Sequence, residues 1–230
     1  MGRKIAIIGS ANSVEVGKIL IDMRDYEKWA MNNLFLSYPN IKFTRWFELH
    51  NFQKKGNDYS RRGANFYAQY PTIRAYLEAI NGLDIPVYMQ KHWKIVKKSI
   101  IFPFNQIMEK LGTQYFGCSF AWMLGLGLLE HLRGSKVDEI RMMGIGLQGP
   151  EYYFQRPSTE YYLGIAQGMG IKVNIDRTST LLTAPFIYAY KENFSLINVN
   201  YVTTVRELVT MMSTPMQEFF ERTVYGKTSL

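Results

Sequence analysis

The chain has 230 residues (26.8 kDa), of which 47% are hydrophobic and 15% aromatic; this is enough to bury roughly 70% of the unfolded surface, and it excludes a disordered polypeptide. One cysteine, Cys118, excludes a disulfide scaffold, and with His50, His92 and His131 as the only imidazoles no metal site is expected. The net charge of +8 points either to a solubilising surface or to a phosphate-bearing small ligand, because no zinc-finger spacing, RNP-like run or long basic helix argues for nucleic acid.

Lys4 to Ile8 is an apolar run that reaches Gly9-Ser10-Ala11-Asn12-Ser13, and a helical pattern with Val14, Ile19, Leu20 and Met23 follows. Strand, small-residue turn and helix is how nucleotide-binding α/β domains begin, since the turn presents backbone N–H groups and a helix start to an anion. The spacing is neither GxGxxG nor a Walker loop, so a tight turn capped by Ser10 or Ser13 is the competing reading. Strands are expected at Lys28–Met31 and Thr44–Leu49. Alternation puts Trp46, Glu48 and His50 on one side of the second, a carboxylate and an imidazole at a strand's C-terminal end. A surface ion pair is the alternative.

Residues 51–69 are polar and basic and read as a long loop able to cover a site. The spacing of Ile73, Tyr76, Leu77 and Ile80 predicts a helix over 71–80. Strands follow at Ile85–Met89 and Ser99–Phe102, around a turn carrying Lys91, Lys94, Lys97 and Lys98, and Pro103 opens a further helix. The most apolar helix, Phe116–Leu132, contains Gly125 and Gly127, which predict close packing, and Cys118 near its N-terminus reads as a buried structural thiol. A buried strand at Glu139–Ile145, a helix at Ser158–Met169 closed by Gly170, and a strand at Ile171–Ile175 complete the alternation. The expected fold is therefore α/β and Rossmann-like, a mostly parallel sheet with helices on both faces over residues 1–182. Residues 183–230 are expected to form a C-terminal helical arm, with helices at Val202–Met212 and Met216–Val224. The apolar residues of that arm predict a homo-oligomer.

If that fold holds, several groups follow strand ends: Gly9, Ser10, Asn12 and Ser13; Glu48 and His50; Ser119; and the block Glu151, Tyr152, Gln155, Arg156 and Glu160. Arg156 suits a phosphate or carboxylate, the aromatics at 152–154 suit a base or sugar ring, and the glutamates suit hydroxyls or general-base work. A structural loop pinned by salt bridges is the alternative for that block. No cofactor is called for. Without a secretory h-region or an apolar run of membrane-spanning length, the expected location is the cytoplasm.

The succession Gly9–Ser13, Arg45–His50, Pro86–Met89, Ser119–Leu124 and Glu151-Tyr152…Gln155-Arg156…Glu160-Tyr161…Gly164 resembles a group of uncharacterised bacteriophage proteins. That group has a Rossmann-like fold and is distantly similar to hydroxymethylpterin diphosphokinase-like domains and to bacterial sialyltransferases that use nucleotide-activated sugars. The resemblance implies a nucleotide-derived small molecule as partner, in host-cell cytoplasm if the chain is phage-encoded. Where the group carries an acid after the Gly144 strand, this chain has Gly146 and Leu147. Three functions stay open: sequestering a nucleotide-type host immune signal as an anti-defence sponge, transferring a glycosyl or phosphoryl group from an activated nucleotide with Glu48 or His50 as base, or a structural or DNA-associated phage role.

Overall fold

The computed structural model describes residues 2–11, 13–56, 58–61, 69–176 and 179–183. In chain order these form β1 (Arg3–Ile8), α1 (Ser13–Asp22), β2 (Tyr26–Met31), β3 (Arg45–Glu48), β4 (Phe52–Lys55), β5 (Asp58–Arg61) and α2 (Ile73–Asn81). β6 (Val87–Met89), β7 (Ser99–Ile101), α3 (Phe104–Leu111), α4 (Ser119–Leu132), β8 (Val137–Met143), α5 (Gln155–Gly168) and β9 (Lys172–Ile175) follow. Seven strands make one sheet in the order β7-β6-β3-β2-β1-β8-β9, and every neighbouring pair is parallel. This is the Rossmann-like α/β fold expected of the strand–helix alternation.

The chain divides into two compact units, residues 1–147 with 154–181 and residues 148–153 with 182–230. The sheet and the five helices belong to the first. In the second, the described residues include a 3₁₀ turn at Pro150–Tyr152. The expected arm helices at 202–212 and 216–224, and the oligomer argued from them, lie outside the described residues.

Alternation along each strand sorts the core into two layers. Trp29, Phe47, Tyr88 and Phe102 form one aromatic cluster, with Phe47 and Tyr88 stacked at 5.1 Å and Trp29 5.4 Å from Phe47. α4 packs on that face, bringing the Gly127 backbone against Ile5 and Trp29, while Gly125 faces Ile107 of α3 and Phe116. Phe116 is itself stacked between Trp122 and Tyr162 of α5. Trp46 and Glu48 face the other way, where Phe35, Tyr70 and Tyr76 of α2 gather. α2 buries Ile73, Tyr76, Leu77 and Ile80, the stripe its spacing predicts, and the Thr72 hydroxyl caps it by accepting from the Ala75 N–H.

Some expectations are corrected. Residues 52–55 and 58–61 are not a plain loop but the antiparallel strand pair β4–β5, and Gly56 between them has φ of 60°. α1 buries Val16 and Leu20, whereas Val14 and Ile19 are exposed, so the inward stripe is narrower than expected. α5 begins at Gln155, three residues early, because Pro157 suits a helix's first turn, where its missing N–H costs nothing.

At the C-terminal edge the chain leaves β1 and β8 in close contact. The Gly9 N–H donates to the Met143 carbonyl and the Ala11 N–H to the Gly144 carbonyl, at 2.8 and 2.9 Å. A Cβ on Gly9 would strike the Gly144 carbonyl oxygen, and one on Gly144, whose φ is 62°, would lie 2.7 Å from the Ala11 oxygen. Both positions demand glycine. Gly144→Ala is expected to lower unfolding free energy by at least about 2 kcal/mol, from left-handed backbone strain plus overpacking, as measured by urea denaturation.

Candidate functional site

From β1 the chain moves outward through β2, β3, β6 and β7, then returns to place β8 on the far side of β1. The strand order reverses there, and in open α/β sheets ligands bind in the crevice outside the strand ends at such a reversal. Its walls are the residues after β1 and those after β8. Gly9 is fully committed: its carbonyl also accepts from the Tyr38 hydroxyl at 2.7 Å. Ser10 and Ala11 are exposed at the rim, Ser13 is the first residue of α1, and Asn12 lies outside the described residues. The opposite wall is braced from behind. The Ser179 hydroxyl donates to the Ile145 carbonyl, and the Thr180 hydroxyl to the Gly146 carbonyl at 3.2 Å. Where the resembled group carries an acid, backbone carbonyls held by 179–180 stand instead.

The starts of α4 and α5 lie side by side. The Gly117 N–H donates to the Ser158 hydroxyl at 3.0 Å, and the Cys118 sulfur is 3.2 Å from the Thr159 hydroxyl. Cys118 is half-buried at the N-cap position of α4 rather than buried, and its side chain makes no capping bond there; Ser119 opens the helix. Arg156 bonds Glu160 through Nε at 2.9 Å and reaches the Thr180 hydroxyl and carbonyl through Nη1 and Nη2. Its guanidinium thus ties α5 to the segment that braces Gly146. Gln155 contributes its carbonyl, which accepts from Ser158 and Thr159, each at 3.0 Å. Glu151 and Tyr152 lie in the 3₁₀ turn of the second unit, with Tyr152 half-buried.

Two strands from β1, the end of β3 carries Glu48 and His50. Glu48 is 0% exposed. Its Oε1 accepts from His50 Nδ1 at 2.5 Å and from the His50 N–H at 3.2 Å, while Oε2 accepts from the Tyr76 hydroxyl. With Nδ1 donating, the neutral ring keeps its lone pair on Nε2, and the side chain is 28% exposed. A buried carboxylate that orients a part-exposed imidazole is an arrangement for proton transfer. This is not a solvated ion pair.

Between the two groups lies Asn32, at the end of β2. Its backbone is left-handed, with φ of 56°, its N–H donates to the Phe47 carbonyl, and its carbonyl accepts from Trp46 Nε1. Its side-chain Oδ1 is buried without a hydrogen-bond partner. Sequence reasoning passed over Asn32, Tyr38 and Tyr76. The signal for Asn32 was present: Asn-Asn after an apolar strand marks a turn where asparagine tolerates positive φ. Tyr38 and Tyr76 gave none beyond their aromatic character, because each is fixed by a partner distant in sequence.

Elsewhere the charges have other partners. At the opposite, N-terminal edge, Arg3 and Arg45 share Glu27 and Glu130 in a network with contacts of 2.5–3.4 Å, and Arg45 lies over the Trp29 ring. The four lysines at 91–98 are exposed; Lys98 pairs with Asp84 and Lys91 lies over Trp93. Among the described residues no three His, Cys, Asp or Glu side chains cluster as metal ligands, and no helix is long and apolar enough to cross a membrane.

No family model matches the chain, and no curated protein does. A solved structure of a mutant of the alpha-2,3/8-sialyltransferase CstII is similar at a TM-score of 0.44 and 13% identity, covering 83% of this chain and 93% of that one.

Burial, with Asp176 adding to it, pushes the Tyr38 phenol up to about 12. In the unfolded chain the phenol ionises near 10. Between those values the folded state holds a proton that the unfolded state has lost, so stability falls as pH rises through that window, by up to about 1.4 kcal/mol per pH unit. Tyr38→Phe should make the fall between pH 10 and 12 shallower, as read from urea midpoints against pH.

Proposed function

We propose that this protein is a group-transfer enzyme: a nucleotide-activated donor is held over the β1–β8 crevice, and His50 acts as general base toward a hydroxyl acceptor. The observation that carries this reading is the fully buried Glu48 holding Nδ1 of His50. Desolvating a carboxylate costs several kcal/mol, and a protein that only holds its ligand has no need to orient a ring nitrogen this way. The sequestering function has no observation of its own.

The donor's phosphate would face the exposed Ser10–Ala11 turn and the α1 start, where N–H groups favour negative charge. The strand order β3-β2-β1 sets the ends of β3 and β1 two spacings apart, about 10 Å, so an extended donor can bridge from the phosphate seat past Asn32 to His50. In the reaction His50 Nε2 takes the acceptor hydroxyl's proton as its oxygen bonds to the transferred carbon or phosphorus. The bond to the nucleotide phosphate oxygen breaks, and the nucleotide leaves with the electron pair. Arg156 has a positioning part in this reading, holding the wall through Thr180.

The test is ³¹P NMR of nucleotide-sugars and nucleoside triphosphates incubated with the protein and mixed hydroxyl acceptors. The wild type should release free nucleotide from one donor class, and His50→Ala should slow that release by about 10²-fold. Donors that all bind and stay intact would overturn the proposal in favour of sequestration.

A further inference from the structure

We propose that Tyr76 sets how readily His50 takes a proton: by donating to Glu48 it draws off part of the carboxylate's charge, so His50 stays a free base at lower pH than Glu48 alone would allow. The inference rests on His50 being the general base. Tyr76 is 0% exposed on the inner face of α2, with its ring 5.6 Å from Tyr70, and its hydroxyl donates to Glu48 Oε2. The carboxylate is also fully buried, and His50 donates to its Oε1 through Nδ1 and through the backbone N–H. Among the described residues Glu48 forms no ion pair with lysine or arginine. Charged groups on the neighbouring elements are engaged elsewhere or stand in solvent. Arg74 and Glu78 of α2 pair at 2.9 Å, Lys91 beyond β6 lies over the Trp93 ring, and Lys54 of β4 is exposed. From β2 comes Asn32, a neutral amide, and burial raises the Tyr70 phenol above its ordinary value, so it too stays neutral where an imidazole titrates.

A hydrogen bond to a carboxylate favours its charged form, and the bond is worth most when nothing else neutralises that charge. With a neutral His50 ring, Glu48 carries its full charge, and Tyr76 supplies the donor from outside the His50 segment. Once Nε2 is protonated, the imidazolium meets much of that charge, and the phenol's bond is worth less. The hydroxyl therefore stabilises the neutral-ring state more than the protonated one. Without it the carboxylate is left with the donors of His50, so Nδ1 keeps its hydrogen and the whole charge draws on the ring. The proton affinity of the pair then rises whether the added proton resides on the imidazole or is shared with Oε1. For transfer, Nε2 must be unprotonated when the acceptor hydroxyl reaches it, and Tyr76 extends that condition toward lower pH. Tyr76 touches no reacting atom in this scheme; it is a positioning residue that acts through the carboxylate.

The test is a pH titration of full-length protein labelled with ¹⁵N at its three histidines, followed by long-range ¹H–¹⁵N spectra and assigned by His→Gln variants. His92 and His131 are internal references, because their ring nitrogens meet Ser99 and the Val137 N–H and neither touches Glu48. Tyr76→Phe keeps the ring and removes only the hydroxyl. Its His50 midpoint should lie at least about half a pH unit above that of wild type, about a threefold gain in proton affinity, with the reference midpoints unmoved. An unchanged or lower His50 midpoint overturns the proposal. If Tyr76→Phe does not fold, full-length protein carrying 3-fluorotyrosine at position 76 decides it. Fluorine makes the hydroxyl a stronger donor, so the His50 midpoint must fall, and one that stays or rises overturns the proposal. Both readouts are independent of turnover. A His50→Ala enzyme that still turns over refutes the base and leaves the titration result standing.

Discussion

The contact between Gly9 and Gly144 sets the rest of the architecture. Two strands distant in sequence end side by side, and their exit turns cross so closely that neither accepts a Cβ. With no side chains between them, backbone groups line the crevice at the strand-order reversal. Tyr38 secures one turn through the Gly9 carbonyl, and Ser179 and Thr180 secure the other through the carbonyls of Ile145 and Gly146. Arg156 extends that brace to α5. Its contribution is that of a strut behind the wall, and this accounts for an arginine near a candidate anion site whose guanidinium is turned to Thr180 and Glu160.

The two ends of the sheet spend their polar groups differently. At the N-terminal edge Arg3, Glu27, Arg45 and Glu130 neutralise each other in part-buried ion pairs, and α4's last turn is tied to the sheet by Glu130. That network holds the packing. The C-terminal edge carries exposed Ser10, a left-handed Asn32 with a buried amide oxygen, and an imidazole held by a carboxylate. In the proposed reading these groups stand along the edge that a nucleotide-type ligand would line. A fully buried Glu48 is costly to the fold unless its bonds are retained, which gives the Tyr76 hydroxyl a role in stability.

Much of this was legible in the sequence because it is local. The strand–turn–helix opening, the Ile73–Tyr76–Leu77–Ile80 stripe and the alternation that placed Glu48 and His50 together follow from periods of 3.6 and 2. The hairpin strands Phe52–Lys55 and Asp58–Arg61 escaped notice because they are short and mostly polar, without the apolar alternation that marks a strand. The helical pattern at α1 was read from Val14, Ile19, Leu20 and Met23, but the helix buries Val16 and Leu20 and leaves Val14 exposed. Arg156 was assigned to a ligand from its residue type and its place after a strand end. Its bonds to Thr180 depend on where the segment after β9 crosses α5, which no local pattern encodes. The same holds for Tyr38 and Tyr76, each bonded to a residue 28 or 29 positions away.

The central claim is that one ligand occupies the edge from the β1–β8 crevice to His50. Amide and imidazole NMR spectra of the full chain, recorded during titration with a panel of nucleoside mono- and diphosphates, test it most directly. The account predicts that the best binder moves the resonances of Ser10, Ala11 and Gly144–Gly146 together with the His50 ring, at one common affinity. Shifts confined to the lysine loop at 91–98, or a panel that leaves the crevice and His50 unmoved, would contradict it.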